Sequence, residues 1–157
     1  MKKIGSVMLL SSMLFVAAAG TAYAEDTQLD RAVEEVVGTP YKWGGTTIKG
    51  FDCSGFMQYI FDEYGIELSR TSRDQAKMGV EVAKADLRIG DLVFFNTDGK
   101  GISHAGIYLG DGEFAHSASK VGVSISKLSD SYYKNRYVTA RRVVDEDTFL
   151  KMSDVKQ

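Results

Sequence analysis

The 157-residue chain contains one cysteine and two histidines, and these are its residues best suited to nucleophilic chemistry. Cys53 lies in the stretch GFDCSGFMQYIFDEYG, immediately before an apolar run at helical spacing. Asp52 is a natural N-cap for that helix, which sets Cys53 in the first turn. Unpaired backbone N–H groups and the positive end of the helix dipole favour a thiolate there. A thiol pKa lowered in this way makes a nucleophile, and the same N–H groups can hold an oxyanion. The ordinary alternative for a free cysteine is a small buried hydrophobe.

A cysteine nucleophile needs a base. His104 and His116 both fall in one candidate hairpin, SHAGIYLGDGEFAHSAS. A two-residue Asp111-Gly112 turn would set His116 opposite Ile107 and turn His104 to the other side of the sheet. A three-residue loop, Gly110-Asp111-Gly112, pairs Leu109 with Glu113 and sets His116 opposite Gly106. Gly112 suits the left-handed position of such a loop, and this register is the one expected. It puts the two histidines diagonally on one face, roughly 7–8 Å apart by Cα, with Gly106 leaving room beside them. That face is expected to look toward the start of the Cys53 helix, with His104 as base and His116 fixing its tautomer. One Cys and two distant His lack the close paired spacing of structural zinc sites, so no metal is expected.

The elements that must position these residues follow from periodicity. Leu29, Ala32, Val33, Val36 and Val37 predict a helix over 28–37. Phe56, Met57, Ile60, Phe61 and Tyr64 form the buried stripe of the Cys53 helix, and Gly65 stops it. A short third helix is expected near 72–78. From there GDLVFF, HAGIYLG, EFAHSAS, VGVSIS and YVTARRVV read as strands bounded by Gly and Asp. Helices followed by a meander of strands predict an α+β domain with an antiparallel sheet.

The first 24 residues carry Lys2 and Lys3, a short apolar run and small residues at Ala22 and Ala24, the pattern of a secretory signal peptide. The run is too short and too interrupted by Ser11 and Ser12 for a membrane span. A lone cysteine in an exported protein points to intermolecular pairing or a reactive thiol. Residues 25–144 suffice for one domain, and DEDTFLKMSDVKQ (145–157) reads as a polar, loosely docked tail. With 19 Lys+Arg against 21 Asp+Glu there is no basic excess to recruit nucleic acid.

The blocks TPYKWGG, FDCSGF, LSRTSRDQ, GDLVFF and HAGIYLGDGEFAHSAS occur in an order and spacing that resembles the NlpC/P60 cysteine peptidases, over about residues 28–144. The resemblance implies a circularly permuted, papain-like α+β fold. It also implies hydrolysis of γ-D-glutamyl–diamino acid bonds in peptidoglycan stem peptides outside the cytoplasm, by a monomer without metal or organic cofactor. Carried over, Cys53 is the nucleophile, His104 the base and His116 the orienting residue. Tyr41 matches a tyrosine that helps hold the oxyanion. Asp52 and Ser54 flank the nucleophile, and Arg70 and Ser72 match positions lining the peptide groove; helix capping and turn formation are their plainer roles. Trp43 could form a groove wall or lie in the core, and the core is the placement expected. A γ-polyglutamate hydrolase and a wall-binding module without catalysis are the alternatives.

Overall fold

The computed structural model describes residues 26–155, so the expected leader lies outside the described residues. The chain opens with α1 (Gln28–Glu34), whose Thr27 and Asp30 form a reciprocal capping box. A two-stranded ribbon, β1 (Thr46–Thr47) and β2 (Gly50–Phe51), leads into α2 (Cys53–Asp62). Then come α3 (Ser72–Gln75), β3 (Val80–Val82), β4 (Leu92–Phe95), β5 (His104–Gly110), β6 (Glu113–Ala118) and β7 (Gly122–Lys127). The described chain ends with α4 (Ser131–Lys134), β8 (Tyr137–Arg142) and α5 (Glu146–Ser153). Strands β3 to β8 form one antiparallel sheet in the order β3-β8-β4-β5-β6-β7.

Both faces of this sheet are covered, and β4 shows why. Its four residues, LVFF, are all buried, as expected of a central strand with two covered faces. Leu92 and Phe94 point into the main core with Phe56, Met57, Ile60 and Phe61 of α2. Val93 and Phe95 point the other way, into a second cluster with Phe114, Leu128 and Ala140, flanked by Tyr108, Tyr133 and Tyr137. At the head of β4, the buried Asp91 takes two bonds from Arg142, at 2.8 and 2.7 Å, which ties the inserted strand β8 into the sheet.

Several expectations need correction. The first and third helices are shorter than predicted, ending at Glu34 and Gln75, with turns after them. The C-terminal segment is not a loose polar tail: Asp145 caps α5 by accepting the Thr148 N–H at 2.8 Å, and Met152 is fully buried in the main core. The Gln28 N–H also donates to Asp154 O at 2.9 Å, so the end of α5 docks beside the start of α1. Polarity hid this helix because only one of its faces is apolar.

The hairpin turn also differs from the expected three-residue loop. Gly110 pairs with Glu113 across a two-residue Asp111-Gly112 turn, while Tyr108 pairs with Phe114 and Ile107 with Ala115. Asp111 and Gly112 both have positive φ, 50° and 80°, as a primed two-residue turn requires. Leu109 is left as a one-residue bulge, which shifts the register back. Continuing the pairing sets His116 opposite Gly106, so the anticipated neighbours arise by another route.

Candidate active site

Three contacts fix the start of α2. Asp52, in extended conformation, accepts the Gly55 N–H at 2.7 Å as N-cap. Its own N–H donates to Gly45 O at 3.0 Å, which draws the preceding loop against the helix. The approach is so close that a Cβ on Gly55 would run into the Gly45 carbonyl, so this position requires glycine. The buried Ser117 hydroxyl, on β6 beside His116, donates to Phe51 O at 2.9 Å. The histidine strand is thus tied directly to the end of β2, which leads into the nucleophile helix.

The two imidazoles meet on one face of the sheet. His104 Nε2 lies 2.9 Å from His116 Nδ1, and His116 Nε2 lies 2.9 Å from the Ser126 hydroxyl on β7. Gly106 makes the approach possible, since a Cβ there would sit 2.7 Å from both Ala115 O and a ring carbon of Phe114. This histidine face is opposite the one on which the body of α2 packs. His116 lies against Phe114 and Tyr133 of the second cluster, at ring-centroid distances of 4.8 and 5.2 Å. Cys53 meets His104 instead where β5 begins, and the two line one cleft of about 170 Å³. The adjacent Ala105 N–H faces the Cys53 sulfur.

The expected lowering of the thiol pKa is also overturned. Burial and the neighbouring Asp52 carboxylate push the Cys53 thiol up, and the N–H groups of Ser54, Ala105 and Cys53 only partly offset them. Burial lowers His104 to about 4. Burial and then the adjacent His104 lower His116 to about 3. At neutral pH the resting site therefore holds a neutral thiol and two neutral imidazoles.

Beside Cys53, Arg70 clamps the Asp52 carboxylate with bonds of 3.0 and 2.7 Å and also donates to Ser54 Oγ at 2.9 Å. Burial pushes the Asp52 carboxyl up, but Arg70, the Gly55 N–H and the Ser54 hydroxyl together hold it below the usual carboxylate range. Asp52 is thus both helix cap and ion-pair partner. Ser72 opens α3 and is buried at the edge of the same network. Gln75, which sequence reasoning passed over, is fully buried and donates to Ser54 O at 3.1 Å and Ser69 O at 2.8 Å, bracing the Arg70 loop against α2.

A second cleft, of about 320 Å³, runs over Arg70, Thr71 and Ser72, and both clefts share Cys53 and Tyr41. Cys53 and Tyr41 therefore lie where the two clefts adjoin. Burial first, then Cys53 and Asp52, push the Tyr41 phenol up, so it stays a hydrogen-bond donor at neutral pH. Trp43 is not core: it is 87 % exposed and forms a wall of the Arg70 cleft. Ser126 and Tyr133 are the other site residues missed: Ser126 depends on the register of β7 on β6, and Tyr133 on the packing of α4 over His116, neither legible from hydrophobic pattern alone.

Residues 38–142 match the NlpC/P60 family. The chain is 45 % identical over 108 residues to the murein DD-endopeptidase MepS/murein LD-carboxypeptidase of Escherichia coli K12, covering 68 % of this chain and 57 % of that protein. It is 42 % identical over 120 residues to the gamma-DL-glutamyl hydrolase of Bacillus subtilis, covering 74 % of this chain and 29 % of that protein. An NlpC/P60 family crystal structure from Bacillus cereus ATCC 10987 superposes with a TM-score of 0.70 at 41 % identity, covering 74 % of this chain and 39 % of that one. This chain thus spans less than two thirds of the length of each of these relatives.

Proposed function

The chain belongs to the NlpC/P60 family, and on that footing we propose that it is an extracytoplasmic cysteine endopeptidase. Its substrate would be the γ-D-glutamyl–diamino acid bond of peptidoglycan stem peptides, and residues 1–24 would direct its export. The observation that carries the reading is that Cys53 and His104 line one cleft while the buried His116 stands behind His104 at 2.9 Å. The E. coli and B. subtilis relatives support hydrolysis of wall peptides or γ-glutamyl amides.

The neutral resting site sets the order of events. His104 takes the thiol proton as Cys53 Sγ attacks the amide carbonyl, so thiolate and imidazolium arise together. The Tyr41 hydroxyl and the N–H groups at the start of α2 receive the developing oxyanion. As the tetrahedral intermediate collapses, His104 returns its proton to the leaving amine and a thioester remains. Water then attacks the thioester, giving its proton to His104, and the thiol is restored with release of the carboxylate. Arg70 and the Ser54 hydroxyl keep the Asp52 charge from falling wholly on the thiolate, while Ser72 lines the cleft that would take the peptide.

Incubating residues 25–157 with purified muropeptides and weighing the products by mass spectrometry tests both bond and nucleophile. Cleavage between D-glutamate and the diamino acid is expected, and Cys53→Ala should abolish it without changing the circular dichroism. Opening of cross-links alone would reassign the bond to the D,D class, and wild-type turnover by Cys53→Ala would remove the nucleophile. A γ-polyglutamate hydrolase, the reading favoured by the B. subtilis relative, would instead cut poly-γ-glutamate and spare the muropeptides.

A further inference from the structure

We propose that Ser126 is a positioning residue whose hydroxyl oxygen accepts the His116 Nε2–H, holding both rings in the tautomer that leaves His104 Nδ1 free to take the thiol proton. This deepens the catalytic reading above and rests on His104 being the base. The contacts are His104 Nε2 to His116 Nδ1 at 2.9 Å and His116 Nε2 to Ser126 Oγ at 2.9 Å.

A neutral imidazole carries one N–H, so these two contacts admit only two self-consistent polarities. In the first, His104 Nε2–H donates to His116 Nδ1 and His116 Nε2–H donates to Ser126. His104 Nδ1 then presents a lone pair. In the second, every donor reverses: Ser126 donates, His116 carries its proton on Nδ1, and His104 carries its proton on Nδ1 as well. That tautomer cannot accept a proton at Nδ1. When His104 becomes imidazolium, its Nε2–H must donate, so only the first polarity survives the proton transfer without rearrangement. The acceptor it needs for the His116 Nε2–H is Ser126, whose hydroxyl also shares a hydrogen bond with the Tyr133 phenol.

Burial makes that acceptor consequential. His116 is 1 % exposed, packed between the Phe114 and Tyr133 rings, so its Nε2–H has little access to solvent. Without an acceptor the first polarity would leave a buried donor unpaired, which is costly in free energy. The pair would shift toward the tautomer in which His104 is no base. Sheet register supports the same pairing: Ser126 lies opposite Phe114, two residues from His116 on β6 and on the same face.

The Ser126→Thr and Ser126→Val variants are nearly isosteric and suit a strand, and they differ in the hydroxyl alone. On the muropeptide, Ser126→Thr should keep kcat within about threefold of wild type. Ser126→Val should lose kcat roughly 10- to 100-fold with KM unchanged. Nitrogen-15 NMR of the histidine rings in the free protein should show Nε2–H on both rings in wild type and Ser126→Thr, and Nδ1–H on His116 in Ser126→Val. Equal kcat in Thr and Val variants, or wild-type tautomers in Ser126→Val, would overturn the proposal. The ring spectra need no substrate, so they stand even if the bond assignment fails. Failure of the base assignment shows separately, as undiminished alkylation of Cys53 by iodoacetamide in His104→Gln.

Discussion

A histidine buried as neutral imidazole changes what acid does to this molecule. His104 sits at about 4 and His116 at about 3, against about 6.5 for an exposed ring. Between pH 6.5 and 4 the unfolded chain therefore binds protons that the folded chain refuses. Stability from this source is complete above 6.5 and is lost as pH falls toward 4. Melting temperature should drop across that window, and less steeply in His116→Gln, which has one titrating ring fewer. For catalysis, the acid limb of kcat/KM should lie near pH 4, because His104 remains a base down to that point. An acid limb between pH 6 and 7 would show that the ring titrates as if exposed and that the neutral resting pair is wrong. The two rings are coupled, so the limb reports the pair and not one residue.

At the scale of elements, α5 carries the prediction that most departs from the primary sequence. Its one fully buried side chain, Met152, reaches the main core, and the Arg88 guanidinium lies 4.2 Å above the Phe149 ring. The exposed Arg88–Glu146 pair at 3.0 Å adds little, since one partner is 67 % exposed. The Met152 thioether fits against Gly90, where a Cβ would come within 2.8 Å of the sulfur. Met152→Ala should therefore cost about 2–5 kcal/mol in urea denaturation, and truncation after Val144 more. Because α5 lines neither cleft, folded Met152→Ala should keep its kcat. An unchanged denaturation midpoint after truncation would return the segment to the status of a dispensable tail.

Across the whole molecule, legibility followed the range of the interactions involved. Local rules placed α2 and its Asp52 cap, and five strands, because each depends on residues a few positions apart. The hairpin put His104 and His116 together, although the bulge at Leu109 replaced the longer loop. What escaped depended on distant partners. The rise in the Cys53 thiol needs the packing around it, and the Ser126 contact needs the β6–β7 register. Trp43 reads as core by its type, yet the loop before β1 carries it outward. Aromatic bulk alone cannot say which side of a cleft wall a ring will face.

That outward ring has a spectroscopic consequence. Trp43 is the sole tryptophan and is 87 % exposed, so its indole is already solvated in the native state. Intrinsic fluorescence should shift little when the protein unfolds, and circular dichroism is the signal to follow in denaturation. A peptide lying in the Arg70 cleft would cover the same ring. Titrating uncleaved muropeptide into Cys53→Ala should move the emission to shorter wavelength and saturate, whereas no shift at saturating peptide would place the occupied side of the groove elsewhere. The residue that cannot report whether this protein is folded is the one placed to report when it is loaded.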